Sequence, residues 1–162
     1  MTHRTFMRIT LAIATLFVSH AWISPAAESS APKPVPYETH DGYFVSNKFE
    51  PDRPESYVKF TNQKAFDEAF GVGHNMNDKH HRLAKDAFDS KMVIAIIKRG
   101  HATWDIKVKS VTITGSSIKV SYTTIAKPTP NTTFSFPLIL SIPKSDVKTI
   151  QFIENDSVVK SL

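Results

Sequence analysis

Cysteine is absent from all 162 residues. That absence excludes a disulfide framework, a thiol nucleophile, a thiolate metal site and a lipid-modified N-terminal cysteine. Glycine is scarce, at five residues, and nowhere clusters into a loop that could cradle phosphates. Neither G-x-S-x-G nor H-E-x-x-H occurs, so the strand-to-helix nucleophile elbow and the helical zinc-protease motif are both missing. A glycosidase carboxylate pair cannot be named from spacing, because its members meet only in the fold. The expectation is a protein without enzymatic activity and without a cofactor. Charge of one sign is also modest. The formal net charge is +5, but Arg4 and Arg8 supply two of those five charges. The remainder is spread along the chain, a weak basis for binding nucleic acid or anionic lipid.

What is present begins with an address. Met1 to Arg8 carries Arg4 and Arg8 and no acid, Ile9 to Val18 is almost wholly apolar, and Ser24-Pro25-Ala26-Ala27 supplies small residues for cleavage after Ala26. This pattern predicts a secretory signal peptide over residues 1–26. A membrane anchor needs about 20 apolar residues, and His20 and Pro25 interrupt the run too early; no later segment approaches spanning length. The expected location is periplasmic or secreted, and export without disulfides fits a bacterial envelope. Asn131-Thr132-Thr133 and Asn155-Asp156-Ser157 then read as turn residues rather than glycosylation acceptors. Residues 27–41 include ESSAPKPVP and read as a flexible Ser/Pro-rich leader. A single β-rich domain is expected over residues 42–162.

Within that domain, Met92-Val93-Ile94-Ala95-Ile96-Ile97 has no polar alternation and is mostly β-branched, which predicts a central strand buried on both faces. Gly42 to Val45 and Ser56 to Phe60 read as shorter strands. Thr61-Asn62 can cap a helix that places Ala65, Phe66, Ala69 and Phe70 on one face. Gly71 follows where a left-handed helix end favours glycine. Val72 to Asp86 reads as a long irregular segment. Trp104, Ile106 and Val108 alternate, then Val111 and Ile113 continue on the other parity, so a β-bulge or a change of face is expected at Lys109-Ser110. Thr114-Gly115-Ser116-Ser117 reads as a hairpin turn returning through Ile118, Val120 and Tyr122. Phe134 and Phe136 lead across Pro137 into Leu138, Leu140 and Ile142, and the proline predicts an edge or a break there. A last hairpin turns at Asn155-Asp156. The predicted class is α+β, β-dominated, with seven or eight strands in a mostly antiparallel sheet forming a sandwich or half-barrel, and one helix packed on it.

Two groups of residues carry candidate chemistry. His74, Asp78, His80 and His81 share one segment and supply the imidazole and carboxylate ligands that zinc, nickel or copper would take without cysteine. Their spacing matches no tight motif, and adjacent His80 and His81 diverge on regular structure, so a solvated polar loop is the plainer reading. His101, Trp104 and Tyr122, with Tyr43, could build an aromatic surface for a sugar or peptide. The parity that Trp104 shares with Ile106 and Val108 argues instead for a core residue.

The second half resembles a known family. Phe88-Asp89-Ser90-Lys91-Met92-Val93-Ile94-Ala95, a glycine loop, Trp104-Asp105-Ile106-Lys107-Val108, and then Phe136-Pro137 with Ser141-Ile142-Pro143-Lys144, are similar to the C-terminal domain of the PrcB protease-complex-subunit family, over roughly residues 60–155. The Ala65 to Phe70 helix ahead of that entry also fits. Two features depart from the family: His101-Ala102-Thr103-Trp104 replaces its Gly-Gly-Tyr segment, and the lipidated cysteine of some members is absent. The resemblance implies an exported, non-catalytic accessory domain and transfers no catalytic residue. The expected function is thus a binding or regulatory domain, an accessory subunit or stabiliser of a secreted or envelope protease, whose partner is another exported protein. The alternatives are a small periplasmic metal-binding protein using the His74–His81 segment and a carbohydrate-binding β-sandwich.

Overall fold

The computed structural model describes residues 31–73 and 81–162. Along the described chain run β1 (Lys33–Pro34), β2 (Glu38–His40), β3 (Tyr43–Val45), β4 (Glu55–Phe60), α1 (Gln63–Ala69), β5 (Phe70–Val72), α2 (Ala87–Ser90), β6 (Lys91–Gly100), β7 (Ala102–Thr114), β8 (Ser117–Pro128), β9 (Phe134–Pro143), β10 (Thr149–Glu154) and β11 (Ser157–Ser161). They form a four-stranded sheet in the order β2-β9-β6-β4, a five-stranded sheet in the order β1-β7-β8-β10-β11, and a β3-β5 ribbon.

β6 lies inside the four-stranded sheet and pairs antiparallel with β9 along its whole length and with β4 on its other side. Residues 92–97 are at most 3 % exposed, as the unbroken apolar run predicts. Alternation sends them to two different cores. Met92, Ile94 and Ile96 meet Val111, Ile118, Val120, Tyr122, Ile150 and Phe152 of the facing sheet. Val93, Ala95 and Ile97 meet Phe60, Phe66, Phe70 and Phe88 on the opposite side. The result is a β-sandwich with a third layer, in which α1, α2 and the β3-β5 ribbon cover the outer face of the four-stranded sheet. The class is α+β and β-dominated, as expected.

Local sequence explains several elements. Asn62 caps α1, its Oδ1 accepting the Ala65 N–H at 2.9 Å. Phe66 and Phe70 dock that helix on the sheet and are buried. The β7–β8 register shifts between Val108 and Ser110, so the parity slip is a bulge that keeps Trp104, Ile106, Val108, Val111 and Ile113 on one face. Gly115, at φ 57°, makes the hairpin turn, while Asn155 and Asp156, at φ 46° and 68°, make the last one. β9 runs unbroken through Pro137, where β2 no longer pairs with it.

Other expectations need correction. Order begins before Gly42: β1 lies on β7, with Val35 N–H donating to the Val111 carbonyl at 2.9 Å, and β2 pairs with β9. The described part of the leader predicted as flexible, residues 31–41, therefore crosses from one sheet to the other, with Pro34 and Pro36 at the crossing; residues 27–30 lie outside the described residues. Its low apolar content is offset by ladder bonds and by the buried His40. Gly71 is not a helix cap. It lies in β5, where the Phe44 ring covers the position a Cβ would occupy, at 2.2 Å. A second helix, α2, was not foreseen, and the strands outnumber the seven or eight expected. β10 runs parallel to β8, because the segment after β9 carries the chain across to the other sheet.

Candidate functional site

The predicted aromatic surface does not assemble. Tyr122 is 0 % exposed and faces the space between the sheets, so it presents nothing to a ligand. Trp104 is half-buried on that same inward side and packs edge-to-face on Phe136, with ring centroids 5.9 Å apart. His101 is exposed in the turn between β6 and β7. Of the metal alternative, His74, Asp78 and His80 lie outside the described residues. His81 is described, and its Nδ1 lies 2.7 Å from the Thr39 carbonyl, which can only accept, so the imidazole Nδ1–H donates to it. Among the described residues no three His, Asp or Glu side chains form a group able to hold a metal ion.

Two polar clusters appear that sequence reasoning missed. The first lies on the outer face of the four-stranded sheet. The register places Glu38 beside Ser141 and His40 beside Ile139. His40 Nε2 is 2.8 Å from Ser141 Oγ, and both residues are buried, at 7 % and 1 % exposed. His81 stacks on His40 with centroids 4.9 Å apart. It is clasped to the β2–β3 corner, its N–H donating to Asp41 Oδ1 at 2.7 Å and its carbonyl accepting from Asp41 N–H at 3.1 Å. Lys91 pairs with Glu38 at 2.8 Å. Between them opens a polar cavity of about 240 Å³ lined by Glu38, His40, His81, Arg82, Asp86 and Lys91, among others.

A serine hydroxyl bonded to an imidazole is the first half of an activated nucleophile. Here the second half is missing. Among the described residues His40 Nδ1 is buried with no hydrogen-bond partner, and none of their carboxylates orients the ring. The Ser141 hydroxyl belongs to a residue that is 1 % exposed. The pair ties β2 to β9.

This arrangement predicts a pH dependence. Burial first, and the nearby His81 charge second, hold His40 below the ordinary histidine value of 6.5; the His81 backbone and the Glu38 carboxylate oppose them, and Lys91 adds to them. The unfolded chain therefore binds a proton more readily than the folded one, and stability is lost as pH falls from 6.5 through the folded value. Urea midpoints measured across that range should drop for the native chain, and His40→Gln should flatten the drop. An unchanged slope in the variant would assign the effect elsewhere.

The second cluster bridges the sheets at one end of the sandwich. Lys98, 5 % exposed, lies on the inward parity of Ile94 and Ile96. Its Nζ donates to Glu55 Oε1 and to Glu154 Oε2, each at 2.5 Å. Tyr122 Oη donates to Glu154 Oε2 at 3.0 Å, and the Thr124 hydroxyl donates to Glu154 Oε1. Tyr57 Oη donates to Glu55 Oε2 at 2.6 Å. Burial alone would raise the Glu154 carboxyl; the hydrogen bonds from Lys98 and Thr124 and the Lys98 charge reverse this and hold it below 4.5. Burial first pushes both tyrosines up; Glu55 adds to it at Tyr57, where the Tyr122 phenol opposes it, and the Tyr57 phenol and Glu154 add to it at Tyr122, so neither is an acid at physiological pH. Glu154 comes from one sheet and Lys98 and Glu55 from the other, which makes the cluster a crossbar between them.

No family model, curated protein or solved structure matches this chain. No helix among the described residues is long and apolar enough to cross a membrane.

Proposed function

We propose that this chain is an exported binding domain without catalytic activity, an accessory subunit or stabiliser of a secreted or envelope protease. The observation that carries this reading is the sealed Ser141–His40 pair. Among the described residues, the arrangement nearest to catalytic chemistry gives its hydroxyl, its imidazole and its burial to holding β2 on β9. The Lys98 crossbar likewise turns its charges on one another. What remains for function is the surface. The N-terminal address supplies the compartment, and the similarity to PrcB-type subunits supplies the class of partner, a protease.

Affinity capture from the envelope fraction of the source cell, after reversible crosslinking, tests this. A stoichiometric exported partner that co-purifies and changes its proteolytic activity on addition of this chain is expected. Repeated recovery of no protein partner would contradict it. Stoichiometric zinc, nickel or copper in untagged protein, lost on changing His80 and His81, would favour the metal alternative instead.

A further inference from the structure

We propose that this protein pairs with a second copy of itself along the free edge of β7, antiparallel and two-fold symmetric about Ile106. β8 covers one side of β7 throughout. On the other side β1 reaches only Ile113 and Thr112, with Val35 bonded to Val111. Among the described residues no strand pairs with that side of residues 102–110.

The hydrogen-bonding sense of this edge follows from its neighbour. Thr124 stands opposite Ile106 in the ladder. Its N–H donates to Asn155 Oδ1 at 3.2 Å and its carbonyl accepts from Asn155 Nδ2 at 3.3 Å, both on the side away from β7. Ile106 and Thr124 are therefore a non-hydrogen-bonded pair, and the N–H and C=O of Ile106 point to the open edge. By alternation those of Trp104 and Val108 do the same. An exposed row of such groups is a template for another strand.

The sequence of the edge is complementary to itself. With Ile106 opposite Ile106 of the second copy, Asp105 stands opposite its Lys107, and Lys107 opposite its Asp105, on the solvent face. On the inward face Trp104 stands opposite Val108 of the second copy and Ile106 opposite Ile106, both apolar pairs. Trp104, Ile106 and Val108 are each half-buried, and a cleft of about 600 Å³ opens beside Ile106 and Val108, lined on its other sides by Thr39, His40, Asp41, His81, Pro137 and Leu138. It has room for the Trp104 indole of the second copy. A lysine on an edge strand ordinarily discourages pairing, but this one meets an aspartate in the one register that also matches the apolar face. In a single copy Lys107 and Asp105 already touch at 2.9 Å, with side chains 72 % and 45 % exposed, so exchanging that contact for the cross-strand one is nearly free. The interface is isologous and closes as a dimer.

Sedimentation equilibrium over a wide concentration range tests the proposal. The native protein should show a concentration-dependent dimer. Either D105K or K107D alone sets like charges opposite one another twice per dimer and should weaken it about tenfold. D105K/K107D restores opposite charges in the same register and should return the native dissociation constant within about threefold. These side chains face solvent, so circular dichroism and melting temperature should confirm that each variant is folded. A native protein that stays monomeric at every concentration would overturn the proposal. So would a dimer that both single variants leave unchanged, since it would use another surface.

Discussion

Replacing Lys98 by methionine is expected to lower the unfolding free energy by about 3–5 kcal/mol, the usual result of removing one partner from a buried ion pair. Methionine keeps the apolar stem and discards the charge, so the loss reports on the carboxylates left behind. Glu55 is 41 % exposed at its side chain and can turn to water, but Glu154 is 15 % exposed and cannot. It would retain only Tyr122 and Thr124 as donors. Adding Glu154→Gln removes the stranded charge; its amide oxygen accepts from one of the two hydroxyls, and its NH2 donates to the oxygen of the other. The double variant K98M/E154Q should therefore recover more than half of the loss. The acid limb gives a second signature. Glu154 has a lowered value in the folded state, so its contribution is present above 4.5 and lost as pH falls through the folded value. K98M should flatten that limb. Urea denaturation over the acid range reads both effects. A double variant as unstable as K98M would mean that the loss does not come from a stranded Glu154 charge.

The second large effect concerns the outer core. Phe66→Ala is expected to cost about 3–5 kcal/mol and to lower Tm by about 10–20 °C. The Phe66 ring is 1 % exposed and touches four others, Tyr43 at 5.2 Å, Phe60 at 5.6 Å, Phe70 at 4.9 Å and Phe88 at 5.9 Å between centroids. These come from β3, β4, β5 and α2, so one cavity would loosen every element covering the outer face of β6. A double change with Phe70 should prevent stable folding. Phe44→Ala is the control, because that ring is 56 % exposed and its loss should shift Tm by no more than a few degrees. Thermal unfolding followed by circular dichroism distinguishes them. Equal losses for Phe44 and Phe66 would mean that the β3-β5 layer is not packed as described.

Much of the scaffold was legible because its signals are local. The unbroken run of Met92 to Ile97 announced burial on both faces, the parity slip at Lys109-Ser110 announced the bulge, and Asn62 and Gly115 marked a helix start and a turn. What escaped notice depends on long-range pairing. Ser141 and His40 are 101 positions apart, and each looks like an ordinary strand or leader residue until β2 lies on β9. The leader read as flexible because nothing in its composition shows that β7 and β9 offer it ladder partners. Lys98 looked like the polar end of an apolar run, although it shares the even parity of Ile94 and Ile96 that turned it inward. Tyr122 carried the same kind of signal, alternating with Ile118 and Val120, and that pattern outweighed its suitability as a sugar platform. Gly71 shows the reverse error, a helix-end rule overridden by strand pairing.

We propose that this domain works through its surface edges and not through a reactive pocket. Site-specific photo-crosslinking in the intact source cell tests it most directly, with the photoreactive residue placed either at Thr103 on the β7 edge or at Ser90 beside the His40 cavity. Protein adducts from Thr103, to a second copy or to an exported partner, with none from Ser90, are the predicted result. Adducts from Ser90 alone, or a small molecule captured and turned over there, would contradict the account.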